Sequence, residues 1–234
     1  RRSRAFIEMD TTDFGKMAAV RCDRKRLEEL VSASGLPVAI ANINSPEQII
    51  ASGPSDAIDA FCALLDREGV KRASLNVSHA FHSPVVAPAA ASFGKALRGI
   101  RFHRGQARVI ANEIRAEYPE SDEAIRSLLE SQVTGSVDFC GGVEELYQQG
   151  VRVFVEVGPG SVLGNLAQSI LKDRDATIVS INHRNGDTLE SLQKALAALF
   201  AEGIALQPIP PARRSPGPSV ESGSRSAPAP ALPA

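Results

Sequence analysis

The chain has no tryptophan, two tyrosines and three cysteines, and no excess of either charge, with 26 Lys plus Arg against 27 Asp plus Glu. Each shortage excludes something. A formal net charge of −1 offers no long-range attraction to a nucleic acid backbone or an anionic membrane surface. No apolar run approaches the roughly 20 residues that a bilayer-spanning helix needs. No signal-peptide pattern opens the chain. Cys22, Cys62 and Cys140 are odd in number, far apart and set among apolar neighbours. They read as reduced packing residues of a cytoplasmic protein, not as a disulfide framework or a zinc site. The sequence also lacks any Gly-x-Ser-x-Gly elbow, so a serine nucleophile of that kind is not in this chain.

What is present is ordinary globular composition, 43 % hydrophobic and 23 % charged. Gly15 to Ser78 forms a self-contained pattern. Met17 to Cys22 reads as a strand. Asp23 can cap a helix carrying Leu27, Leu30 and Val31, which Gly35 can end. Val38 to Ile43 and Gln48 to Ser52 read as strands joined by a turn at Asn44-Ser45-Pro46-Glu47. Ile58, Phe61, Leu64 and Leu65 have helical spacing up to Gly69. Ala73, Leu75 and Val77 then alternate with polar residues, as in a half-buried strand. The order is βαββαβ, the ferredoxin-like arrangement.

The remainder predicts an α/β layer with a parallel sheet that is short of strands. His82 to Leu97 reads as a helix with Pro84 in its first turn. Ala107 to Ala111 reads as a strand. Further helices carry Ile125, Leu128 and Leu129, and then Phe139, Val143, Leu146 and Tyr147. Val151 to Val157 is almost continuously apolar, as for a strand covered on both faces. Gly158-Pro159-Gly160 turns into a helix, Ile178 to Ile181 is a strand, and Asp187 introduces a final helix. The divisions expected are residues 1–14, the end of a preceding part; 15–78, the small unit; 79–206, the large layer; and 207–234, a Pro/Ala/Ser-rich linker. The uncapped start at Arg1 and the linker at the other end lead us to expect a piece of a multidomain protein.

The chemistry concentrates in Ser78-His79-Ala80-Phe81-His82-Ser83-Pro84. Histidine suits proton transfer near neutral pH, and His82 stands at a strand-to-helix junction. On residue type alone, a hydrogen-bonding loop role for both histidines stands beside the general-base reading. No Cys, Asp or Glu in the motif completes a metal site. Ser55 follows Gly53-Pro54 but opens a helix of the small unit. Glu156-Val157-Gly158-Pro159-Gly160-Ser161 has the strand, turn and helix of a phosphate loop, but not the dinucleotide spacing, and a tight structural turn is the better reading.

Four stretches, Gly15-Lys16-Met17-Ala18-Ala19-Val20, Ala41-Asn42-Ile43-Asn44-Ser45-Pro46, Val77 to Pro84, and Val155-Glu156-Val157-Gly158-Pro159-Gly160, together resemble the malonyl/acyl-CoA:acyl carrier protein transacylases. The resemblance is to the acyltransferase domains of polyketide synthases and runs from Arg1 to Leu206. It implies a partial α/β-hydrolase-like large subdomain with a complete ferredoxin-like small subdomain. It also implies that the family's Gly-His-Ser-x-Gly elbow lies upstream of Arg1. The implied reaction moves malonyl from malonyl-CoA, through a seryl ester, to the phosphopantetheine thiol of an acyl carrier protein, with no bound cofactor. By the same resemblance His82 is the base, the backbone carbonyl of Gln132 orients it, Arg2 holds the malonyl carboxylate, Asn44 lies near the cleft, and Phe81 fills the space of an α-methyl branch. Without the serine, the chain alone is expected to be inactive. Its expected partners are a carrier protein and adjacent synthase domains, in fatty-acid or polyketide synthesis. The alternative is a non-catalytic ferredoxin-like unit that binds a carrier or small ligand, or merely spaces synthase domains.

Overall fold

The computed structural model describes residues 1–103, 105–182 and 188–207. The chain opens with helix α1 (Arg2–Ile7), which buries Ala5 and Phe6. It then enters strand β1 (Lys16–Val20), helix α2 (Arg24–Ser34), strands β2 (Ala39–Ser45) and β3 (Gln48–Gly53), helix α3 (Ser55–Arg67) and strand β4 (Arg72–Ser74). Asp23 caps α2 by accepting from the Arg26 N–H at 2.9 Å, and Gly35 ends it at φ 63°. The four strands pair antiparallel in the order β4-β1-β3-β2, so the ferredoxin-like topology expected from the sequence is the one adopted.

One face of this sheet packs on α2 and α3. Ala18, Val20, Ile43, Ile49 and Ala51 meet Leu27, Leu30, Ile58, Phe61 and Leu65 there. Fully burying a side chain such as Phe61 or Leu27 contributes about 1.5–3 kcal/mol, so this layer holds the unit together. The other face carries Met17, Ala41 and Ile50, with Leu75 and Phe81 against them. Phe81 belongs to the histidine segment, which therefore rests directly on the sheet.

Two expectations change here. All three residues of β4 are exposed, because it is an edge strand that the helix layer does not cover. A fifth strand, β7 (Val137–Asp138), joins the sheet parallel to β2, pairing Asn42 with Val137 and Ile43 with Asp138. Two residues are too few to show alternation, so periodicity could not reveal it.

Between β4 and β7, a 3₁₀ turn (Pro84–Val86) runs into helix α4 (Ala87–Leu97). The expected strand at 107–111 shrinks to β5 (Ile110–Ala111), hairpinned to β6 (Ala116–Glu117). Helix α5 (Asp122–Ser131) follows, capped by Ser121. Helix α6 (Phe139–Gln148) comes after β7. Strands β8 (Val153–Glu156) and β9 (Thr177–Ser180) pair in parallel around helix α7 (Val162–Ile170), and helix α8 (Thr188–Ala201) follows. Val143, Ala167, Ile170 and Leu171 form the local core with Phe154 and Ile178. Val155 and Val157 are 40 % and 78 % exposed, so the described residues cover only one face of a strand expected to be covered on both. The expected cap at Asp187 and the Pro-rich segment from Pro208 onward lie outside the described residues.

Candidate active site

Two chain crossings between the sheet and α4 build the site. The chain enters the small unit at Gly15 and leaves it at Ala80, and the two passes touch. The Ala80 N–H donates to the Phe14 carbonyl at 2.7 Å. Asp13 ties the entry to α3, accepting from the Gly15 N–H at 2.9 Å, the Ser55 N–H at 2.9 Å and the Ser55 hydroxyl at 2.5 Å. These bonds hold the Asp13 carboxyl below the usual carboxylate range, the Ser55 hydroxyl contributing most. Ser55 is thus committed to a structural bond.

Beyond Ala80 the backbone is fixed at each step. The buried Ser83 hydroxyl donates to the Ala80 carbonyl at 2.7 Å and accepts from the Val85 N–H at 3.3 Å, which caps the 3₁₀ turn. His82 lies outside that turn, at φ 57° in the left-handed region. The helix expected from residue 82 therefore starts later, because Ser83 rather than His82 is the capping residue. This placement swings the imidazole toward the turn after α5. Its Nδ1 lies 3.1 Å from the Gln132 carbonyl oxygen and 2.9 Å from that of Gly135.

A carbonyl oxygen can only accept, so Nδ1 carries the proton and Nε2 keeps its lone pair. This is the tautomer a general base needs. Burial pushes the His82 pKa below the ordinary histidine value of 6.5. The Gly135 and Gln132 carbonyls oppose that shift, Arg2 adds to it, and Glu113 opposes it. The net effect keeps the imidazole neutral at pH 7 and able to take a proton. The second carbonyl, from Gly135, was not foreseen: a backbone acceptor leaves no mark in the residue pattern beyond lying three positions past Gln132.

His79 and Phe81 form the wall beside it. Phe6 and Phe14 meet the His79 ring edge-on, with centroids 5.6 and 4.9 Å away. Phe81 packs edge-on against Phe6 at 5.1 Å. The His79 Nδ1 lies 2.9 Å from the Ser78 hydroxyl, while its Nε2 is buried with no conventional partner, facing aromatic surroundings. His79 is packed rather than poised. A cleft of about 370 Å³ opens along this wall, lined by Arg2, Ser3, Phe6, Ile7, Ser78, His79 and Phe81. Of the three nearby arginines, Arg1 donates to the Ala96 carbonyl and Arg4 to Glu8, and Arg2 lines the cleft. Asn44, half-buried near the end of β2, is not among the cleft's lining residues.

The second glycine motif has a different task. The Glu156 carboxylate accepts from the Leu163 and Gly164 N–H groups at 3.1 and 2.8 Å and from the Ser180 hydroxyl at 2.9 Å. A protein carboxylate already occupies the helix N-terminus where a phosphate would bind. The turn reading therefore prevails. Burial raises the thiol pKa of Cys22, Cys62 and Cys140, the opposite of an activated nucleophile. Among the described residues no three His, Cys, Asp or Glu side chains cluster as a metal site, and no helix is long and apolar enough to cross a membrane.

Known proteins share this fold. A polyunsaturated fatty acid synthase chain from Thraustochytrium sp. is 33 % identical over 174 residues, which are 73 % of this chain and 6 % of that protein. The acyltransferase domain from the second module of the salinomycin polyketide synthase superposes with a TM-score of 0.79 at 26 % identity, over 87 % of this chain and 47 % of that one. A malonyl-transacylase solved in complex with its holo type II polyketide synthase acyl-carrier protein gives a TM-score of 0.74 at 28 % identity, over 84 % of this chain and 62 % of that one. The chain thus spans about half the length of the solved acyltransferase domain it matches. The fold is accordingly the family's α/β type, an α/β-hydrolase-like layer with a ferredoxin-like subdomain. With the acyl transferase domain model matching residues 1–206, His82 and its carbonyl cradle belong to a chain that is a member of the acyl transferase domain family.

Proposed function

We propose that this chain supplies the base and the substrate wall of an acyltransferase that moves malonyl from malonyl-CoA to the phosphopantetheine thiol of an acyl carrier protein. The observation that carries the reading is the His82 imidazole, held by two carbonyls in the Nδ1–H tautomer. The nucleophilic serine comes from outside these 234 residues, since no elbow occurs among them. His82 Nε2 takes the serine proton as the hydroxyl oxygen attacks the thioester carbonyl. The tetrahedral adduct collapses, CoA leaves as its thiol with that proton, and a seryl malonate ester remains. In the second half, Nε2 takes the proton of the phosphopantetheine thiol, sulfur attacks the ester, and the proton returns to the serine oxygen.

The Gln132 and Gly135 carbonyls fix the ring but bear no full charge, so they stabilise the imidazolium less than an aspartate would. Arg2, which lines the cleft, offers a fork for the malonyl carboxylate. Phe81 occupies the room of an α-methyl group, and Asn44 contributes polarity from the end of β2. Residues 1–14 close an upstream part, 15–78 are the inserted small unit, and 79–206 complete the large layer. No cofactor enters the reaction. The partners are a carrier protein and neighbouring synthase domains, all in the cytoplasm.

The test joins this chain to its upstream serine segment and follows radiolabelled malonyl from malonyl-CoA to a holo carrier protein. His82→Ala is expected to reduce transfer by about 10³-fold or more, the scale of losing an activating base. Transfer at the parent rate would remove His82 from the mechanism.

A further inference from the structure

Glu113 lies in the turn between β5 and β6, and neither the sequence motifs nor the reaction above uses it. Its Oε2 accepts from the Ser131 hydroxyl at 2.9 Å, at the last residue of α5. Its Oε1 would stand 2.6 Å from a Cβ added to Gly135, so the carboxylate fills the space beside that glycine. Between these two contacts runs the turn that cradles His82. The Ser131 carbonyl accepts from the Thr134 and Gly135 N–H groups at 3.1 and 2.8 Å, leaving the Gln132 and Gly135 carbonyls aimed at His82 Nδ1.

We propose that Glu113 is a positioning residue for His82: its carboxylate braces the 131–135 turn from behind and provides, through the two carbonyls, the negative charge that the cradle itself lacks. The charges acting on the imidazole are Arg2, which opposes protonation, and Glu113, which favours it. They have opposite signs and come from well-separated parts of the chain. As Nε2 takes up a proton, Glu113 favours the imidazolium and offsets part of the larger opposing effect of Arg2. A Cβ at Gly135 would push the carboxylate out of this position, so glycine leaves the room that the carboxylate occupies. The inference rests on the reading of His82 as the base, but its test does not.

The His82 ring is titrated by two-dimensional NMR in the full 234-residue chain, its signals assigned by their loss in His82→Gln. Glu113→Gln keeps the volume and an acceptor for Ser131 but removes the charge. It is expected to lower the His82 midpoint by a few tenths of a pH unit, the scale of a partly solvated carboxylate at second contact. Ser131→Ala removes the hydrogen bond and keeps the charge, so its shift is expected to be smaller. An unchanged midpoint in Glu113→Gln overturns the proposal, and an equal shift in Ser131→Ala overturns the role of the charge. Should Glu113→Gln fail to fold, Glu113→Asp decides: withdrawing the charge by one methylene lowers the midpoint if the proposal holds and leaves it unmoved if it does not. The NMR midpoint reads Glu113 even if His82→Ala leaves acyl transfer intact, so the two readings fail separately.

Discussion

Gly15→Ala is expected to damage the fold and the site together, and a second glycine supplies its control. Gly15 has φ 71°, and a Cβ there would stand 2.5 Å from the Ala80 Cβ and 2.5 Å from the Gly53 carbonyl oxygen. Gly69 has nearly the same torsion, φ 68°, with nothing within 4 Å of an added Cβ. Alanine in the left-handed region costs about 1–2 kcal/mol at either place. Overpacking adds about 1–3 kcal/mol at Gly15 alone, and one of its obstacles is backbone that cannot rotate away. Gly69→Ala should therefore cost about 1–2 kcal/mol and Gly15→Ala about 2–5 kcal/mol. Urea unfolding followed by circular dichroism measures both. At an m-value of about 2 kcal/mol/M, the Gly15 variant should unfold at least about 0.5 M earlier than the Gly69 variant. Equal midpoints would show that the crossing at Ala80 has room, and would refute the claim that entry and exit are clamped. Since Ala80 is two residues before His82, the clamp model also requires the His82 ring signals to move in Gly15→Ala and stay in place in Gly69→Ala.

Two further outcomes follow from the site. The depressed His82 pKa means that the unfolded chain binds the proton more readily, so stability rises with pH through this group. Its contribution should be intact above 6.5 and be lost as pH falls from there to the folded-state pKa; His82→Gln should flatten that part of the urea-midpoint profile, and an unaltered profile would contradict a buried neutral imidazole. In the serine-bearing protein, Phe81→Ala should lower the preference for malonyl-CoA over methylmalonyl-CoA by about tenfold, within the range one methylene is worth. The ratio of the two kcat/KM values cancels any general loss of folded protein, and an unchanged ratio would remove Phe81 as the gate.

The parts of this molecule that were legible in advance are those with local signatures. Asp23 and Gly35 bracket α2 because a side-chain acceptor and a left-handed residue are what helix ends require. Leu27, Ile58, Phe61 and Leu65 announced the helix faces that now cover the small sheet. His82 stood out through the resemblance of Val77 to Pro84 to the acyltransferases, because its residue type alone left a hydrogen-bonding loop role open. What stayed hidden was set by tertiary approach. The Gly135 carbonyl and the Glu113 carboxylate reach the site through turns separated from His82 by tens of residues, and a carbonyl has no residue type of its own. The strand β7 failed to show because two paired residues have no period. Val155 and Val157 read as doubly covered because apolar runs report hydrophobicity, not which faces other elements reach.

The misplaced helix start is the most instructive of these, because it separates two roles that one residue cannot fill. A helical His82 would take the ordinary right-handed torsion, not the φ of 57° that it adopts. Ser83 instead takes the cap, with Pro84 behind it in the first turn. That releases His82 into a left-handed conformation costing about 1–2 kcal/mol. The cost is tolerable because the neighbours over-determine the backbone: the Phe14 carbonyl holds Ala80, the Ser83 hydroxyl holds the Ala80 carbonyl, and the sheet face holds Phe81. The imidazole then meets two carbonyls that select the Nδ1–H tautomer. Sequence supplies the imidazole, but the cap one residue later is what aims it.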